Sequence, residues 1–206
     1  MTGFLADDLY FTMNDPYTGK ARMPAGQLGT CLAAALLCEL MLDDQVRLVD
    51  GTLALVERPP PDDELGRVLL ERLQDLVYSQ PQSIADWLPL IRPTAVDLVV
   101  ERLVRTGAAT PAQRRRLGRG SSIVVSTDPA GCELRADRLA AYLRNQITPS
   151  LPETVIAALV ILGGPKPDPL AISGTSRALV AGLTPQLPAD LQQVLIHSEQ
   201  VLTAWR

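Results

Sequence analysis

The sequence predicts a mainly α protein, a compact multi-helix domain with a buried central helix and two short β-hairpins. Three observations predict it. From Ala25 to Leu42 the chain is apolar on nearly all sides, the pattern of a helix surrounded by protein. Directly after it, two alternating runs meet at Asp50-Gly51, the turn chemistry of a tight hairpin. Much of the remainder repeats apolar residues at helical spacing between proline and glycine breaks. With 206 residues, of which 47% are hydrophobic, the chain can bury one substantial core, and a single domain over residues 1–206 is expected.

In chain order, Leu5, Leu9 and Met13 stand four apart and predict a short amphipathic helix, stopped by Asn14-Asp15-Pro16-Tyr17-Thr18-Gly19. The central helix, Ala25 to Leu42, follows, and Gln45 to Val56 forms the first hairpin. After Pro59-Pro60-Pro61, Leu65, Leu69, Leu73, Leu76 and Val77 mark a helix over Asp62 to Tyr78, with Asp62 and Asp63 placed to cap its start. Ser83 to Leu88 reads as a short helix ended by Pro89, and Thr94 to Thr106 as a longer one closed by Gly107. In the second hairpin, Ser122 to Ser126 is a strand, Asp128-Pro129-Ala130-Gly131 its turn, and Arg114 to Gly120 a basic loop before it. Further helices are expected at Arg135 to Gln146, Pro152 to Leu162, Gly174 to Gly182 and Ala189 to Trp205.

Several function classes find no support. His197 is the single histidine, and no Gly-x-Ser-x-Gly string accompanies it, so a serine triad has no footing. Cys31 and Cys38 stand seven apart on one face of the apolar helix, as small buried hydrophobes do, and no second ligand pair points to a metal. Gly163-Gly164-Pro165-Lys166 lacks the Ser/Thr and helix of a nucleotide-binding loop and reads as a turn. The acidic pairs Asp7-Asp8, Asp43-Asp44 and Asp62-Asp63 fall at helix ends or turns, where capping explains them. No catalytic residue, metal or cofactor is expected. Three cysteines without CxxC spacing, and an N-terminus without a signal-peptide pattern, fit a reducing cytoplasm. The Leu32 to Leu42 run, interrupted by Glu39, falls short of the ~20 residues of a bilayer crossing.

The basic residues comprise seventeen arginines and two lysines in a chain of net charge −4, so any anion site must be local. Arg102, Arg105, Arg114, Arg115, Arg116 and Arg119 form such a cluster, with no acid between Glu101 and Asp128. Charge-assisted hydrogen bonds from these side chains, with backbone donors of Gly118 to Ser121, suit phosphate. A solvated loop accounts for the same run equally well. Lys20 and Arg22, just ahead of the central helix, join the site if the fold brings them near the arginine loop.

Five strings carry a family likeness: Leu5-Ala-Asp-Asp-Leu-Tyr-Phe; Tyr17-Thr18-Gly19-Lys20; Leu32 to Leu42, whose Glu39-Leu40 feeds a hairpin; Gln80-Pro81-Gln82-Ser83-Ile84-Ala85-Asp86-Trp87; and Glu101-Arg102-Leu103-Val104-Arg105-Thr106-Gly107. In order and spacing they resemble the Golgi phosphoprotein 3 family, including its bacterial members, over most of the chain. The resemblance implies a non-enzymatic peripheral membrane adaptor that binds phosphoinositide head groups on a basic face, dips a hairpin into the bilayer and recruits other proteins. Eukaryotic members hold the head group with a Trp and an Arg around the start of the central helix and two arginines before the second hairpin. Aligned by eye, these positions fall near Pro24 and Ala33 and within Val96 to Val99, and none is retained. Where the family places an apolar hairpin tip, this chain has Arg114-Arg115-Arg116.

The partner expected is therefore an anionic, phosphoinositide-like head group at the cytoplasmic face of a membrane, contacted through Lys20, Arg22, Arg102, Arg105, Arg114, Arg115, Arg116 and Arg119, with other proteins as further partners. Two other readings stand beside it. A winged-helix-like nucleic-acid binder would use the basic wing, but Thr94 to Thr106 is largely apolar and offers few groups to base edges, so no nucleic acid is expected. A protein-interaction module or homo-oligomer would instead use Trp87, Trp205 and the apolar helices.

Overall fold

The structure is a computed structural model that describes residues 4–112, 123–166, 168 and 170–204. Its elements are α1 (Leu5–Met13), α2 (Ala25–Leu42), β1 (Val46–Val49), β2 (Thr52–Leu55), α3 (Glu64–Ser79), α4 (Ile84–Arg105), β3 (Ala109–Pro111), β4 (Val124–Ser126), α5 (Pro129–Leu143), α6 (Leu151–Gly163), α7 (Gly174–Leu183) and α8 (Ala189–Thr203), with a 3₁₀ turn at Thr184–Gln186. The fold is mainly α, with two separate two-stranded antiparallel sheets.

α2 has the bounds its apolar pattern predicts and lies at the centre, against α1, α4, α6 and α8. Leu32, Leu36 and Leu37 are fully buried, each contributing about 1.5–3 kcal/mol of transfer free energy. Over its 18 residues α2 is long and apolar enough to cross a bilayer, which the shorter Leu32 to Leu42 reading did not anticipate, but 72% of it is buried within the fold. Its closest neighbour is α4. At Gly29 a Cβ would stand 2.5 Å from the Arg92 carbonyl oxygen, so glycine is what lets the two backbones approach.

α4 corrects the sequence reading. Ser83 to Leu88 and Thr94 to Thr106 are parts of one helix of 22 residues that runs through Pro89 and Pro93. Each interior proline removes a backbone donor, at about 3 kcal/mol. Burial of Trp87, Leu88, Ile91, Ala95, Val99 and Leu103 outweighs that loss, both proline rings face outward, and a reciprocal Ser83–Asp86 capping box fixes the start.

The first hairpin forms as predicted. Asp50 (φ 51°) and Gly51 (φ 77°) are both left-handed, as a two-residue hairpin turn of this hand requires. Its edges are tied down, by Leu53 N donating to Gln82 O (2.7 Å) and Leu48 N donating to Asp190 Oδ2 (3.0 Å).

The second hairpin differs from expectation. β4 pairs with the preceding Ala109–Pro111, in register Ala109↔Ser126 and Pro111↔Val124. Asp128-Pro129-Ala130-Gly131 is no hairpin turn but the start of α5. Asp128 caps it by accepting from Gly131 N (2.9 Å), and Pro129 takes the first helical position, where its missing N–H is not needed. The basic residues Arg114, Arg115, Arg116 and Arg119 lie outside the described residues, as does Trp205.

Candidate functional site

The segment between α1 and α2 is tied together by hydrogen bonds to its own side chains. Asp15 Oδ1 accepts from Tyr17 N (3.1 Å), Thr18 N (2.9 Å) and Thr18 Oγ1 (2.9 Å), which holds its carboxyl below the usual range even though partial burial opposes this. Asp15 N donates to Lys20 O (2.9 Å), and Asn14 and Ala21 form an isolated antiparallel bridge. Lys20 is exposed at the end of this loop. Arg22 turns inward, where its Nη1 donates to Thr12 O (3.1 Å) at the C-terminal end of α1 and its Nη2 stands 3.5 Å from Asp15 Oδ2.

The loop is docked on β4. Gly19 (φ 65°) lies so close that a Cβ would overlap the Val124 carbonyl oxygen and stand 2.5 Å from Ile123 Cγ2. Ser126 N donates to Pro16 O (2.9 Å). Ala112 N donates to Ile123 O (2.8 Å), so the two described residues flanking positions 113–122 lie side by side at this place. Lys166, in the segment after α6, donates its backbone N–H to Arg22 O (2.5 Å) and is exposed. The fold thus gathers Lys20, Arg22, Lys166 and the flanks of the arginine segment along one edge. Sequence reading missed Lys166 because a long-range backbone bond leaves no local signal. Nearby, the exposed Tyr17 side chain is hydrogen-bonded to Glu133 of α5, which raises the phenol's pKa.

Arg102 lies elsewhere and corrects the expected basic face. It is 1% exposed, and its guanidinium is ringed by carboxylates. Nε donates to Asp7 Oδ1 (2.8 Å), Nη1 to Glu39 Oε2 (2.8 Å) and Asp63 Oδ2 (3.2 Å), and Nη2 to Glu39 Oε1 (3.1 Å). The Phe4 ring covers it at 4.2 Å. Burial opposes its charge, but Glu39 and Asp7 hold it protonated. Burial pushes Asp7 up to about 7 in spite of Arg102, and raises Glu39 as well. Asp7 and Asp63 thus serve in an internal ion cluster as well as at helix ends. Arg105, one turn on and partly exposed, pairs with Glu64 (2.8 Å) and approaches Asp63 (3.8 Å).

The remaining chemical groups stand apart. His197 is half-buried on α8, its Nδ1 3.1 Å from Gln200 Oε1. Cys31 and Cys38 are fully buried, and burial pushes the Cys31 thiol up to about 12 and Cys38 higher still, which keeps both un-ionised.

The sequence model of the Golgi phosphoprotein 3 (GPP34) family matches residues 5–184, from the start of α1 to the 3₁₀ turn before α8. Among curated proteins none matches.

Proposed function

Because the chain belongs to the Golgi phosphoprotein 3 (GPP34) family, we propose that it works as a peripheral adaptor that contacts anionic phospholipid head groups at the cytoplasmic face of a membrane through the edge built on the Asn14–Arg22 loop. One observation carries this reading: Gly19 docks on Ile123 and Val124, which puts Lys20 beside the base of a segment whose sequence holds Arg114, Arg115, Arg116 and Arg119. Lys166 adds a further cation on the same side. Arg102 belongs to the interior and takes no part, and Arg105 contributes only what its acidic partners leave. Cations at an anionic surface each contribute about 1 kcal/mol, enough for several together to retain a protein of net negative charge. The nucleic-acid alternative is less well served, since Ala95, Val99, Val100 and Leu103 of α4 are buried in the core and present no recognition face.

The test is co-sedimentation with phosphatidylcholine vesicles carrying graded phosphatidylinositol 4-phosphate or phosphatidylserine, at low and high salt. Wild type should bind the anionic vesicles in a salt-sensitive way. Lys20, Arg114, Arg115, Arg116 and Arg119 changed together to Ser should abolish binding without altering the melting temperature. Equal retention on neutral vesicles, or none on any, defeats the proposal.

A further inference from the structure

The cluster around Arg102 holds more negative than positive charge. Asp63 has compensation of its own, since it caps α3 by accepting from Gly66 N (3.0 Å) and lies near Arg105. That leaves Asp7 and Glu39 to share one guanidinium in a largely buried site. Glu39 is the better-solvated anion. It takes two donors from Arg102 and a third from Ala6 N (2.7 Å). Asp7, 1% exposed, also meets two guanidinium nitrogens, Nε at 2.8 Å and Nη2 at 2.7 Å, but through a single oxygen and with no backbone donor beside them among the described residues. Two carboxylates at one cation in low dielectric favour keeping a proton on the more poorly served of them.

Among the described residues, no other charge relieves Asp7. From α1 itself, Asp8 adds repulsion, although its carboxylate is paired with Arg135 of α5 (3.3 Å). From α2 come Glu39 and, beyond it, Cys38, whose thiol is un-ionised. α3 offers Asp63 and Glu64, and α4 offers Arg102 and Arg105, the latter turned to those two acids. α6 has a single charged residue, Glu153, which is paired with Arg138 of α5.

We propose that this cluster is a proton-dependent latch on α1: neutral Asp7 docks against Arg102 and Glu39, and loss of its proton to solvent loosens α1 from α2 and α4. α1 leads directly into the loop that carries Lys20, and Arg22 clasps the carbonyl of Thr12 at its end, so loosening α1 would free the loop's inner anchor. The latch stands whether or not the chain binds lipid.

The sign follows from the raised Asp7. Below about pH 4 the group is neutral in both folded and unfolded chains. From there to about 7 the unfolded chain has released the proton that the folded chain keeps, so stability falls as pH rises, and it levels off above that. Asp15, Asp86 and Glu153, whose carboxyls are held low, act at the acid end, whereas Glu39 and Asp43, raised by burial, add to the fall with the same sign, so it is the comparison with Asp7→Asn that isolates Asp7.

Hydrogen exchange of the full chain tests the latch. Protection of α1 amides, corrected for intrinsic exchange, should fall by up to roughly tenfold per pH unit as pH rises from about 5 to about 7 and level off above that in wild type, and Asp7→Asn, which copies the neutral acid, should remove most of that fall and raise protection at pH 8. Protection that does not vary with pH in wild type, or varies identically in Asp7→Asn, overturns the proposal. If Asp7→Asn fails to fold, carbon-13 titration of the assigned aspartate carboxyls in wild type decides it, an Asp7 midpoint well above 5 supporting the latch and an Asp7 midpoint below 5 overturning it.

Discussion

The two arginine sites near the two ends of α1 show how differently one residue type is used. Arg102 lies in the interior, and its partners come from 95, 63 and 39 positions away in sequence, so it ties together α1, α2, α4 and the start of α3. Arg22 grips the end of α1 at the edge of the molecule, and the neighbouring Lys20 is left to solvent. In the first site charge is consumed by carboxylates and gives connection. In the second, Arg22 anchors the loop and Lys20 keeps its charge exposed. A run of basic residues in sequence therefore does not map onto one basic face, because α4 turns Arg102 inward.

The sharpest way to break this comparison is to remove one charge from each site. Arg102→Leu leaves Asp7 and Glu39 buried without a cation and should cost about 3–5 kcal/mol in chemical denaturation, while Lys20→Ser should leave the denaturation midpoint unchanged. Equal, small effects would mean that the buried cluster does not hold the helices together.

Next in size is Gly19→Val, which forces a β-branched residue into a left-handed backbone and against Val124. It should cost about 1–3 kcal/mol and weaken anionic-vesicle binding by displacing Lys20. Gly26→Ala serves as its control, since the site in α2 is open, and should be neutral or stabilising by up to about 1 kcal/mol. Smaller again is Ser83→Ala, which removes one half of the box that starts α4 and should cost about 1 kcal/mol of thermal stability without touching vesicle binding.

Most of the fold was legible because its signals are local. The all-round apolar run gave α2 its bounds, Asp50-Gly51 the first hairpin, and leucine spacing α3. Failures came where a distant partner decides. Pro89 and Pro93 read as helix breaks, but packing on α2 carries α4 through both. Asp128-Pro129 fits a turn and a helix start equally, and only the pairing of β4 with β3 settles which. Arg102 did carry a signal, since it stands three residues after the buried Val99 and next to Leu103, on the inward face of its helix, but the carboxylates that receive it are scattered through the sequence. At the candidate site, Lys20 and Arg22 were legible from their place before α2, whereas Lys166 arrives through tertiary contact alone.

The division between an internal and an external cationic site is tested most directly by hydrogen exchange of the wild-type chain with and without vesicles containing phosphatidylinositol 4-phosphate. The expected result is added protection confined to residues 14–22, the neighbourhood of Lys166 and the flanks of residues 113–122, with no change at the α4 amides around Arg102. Protection centred on α4 or α8, with none in the Lys20 loop, would contradict it.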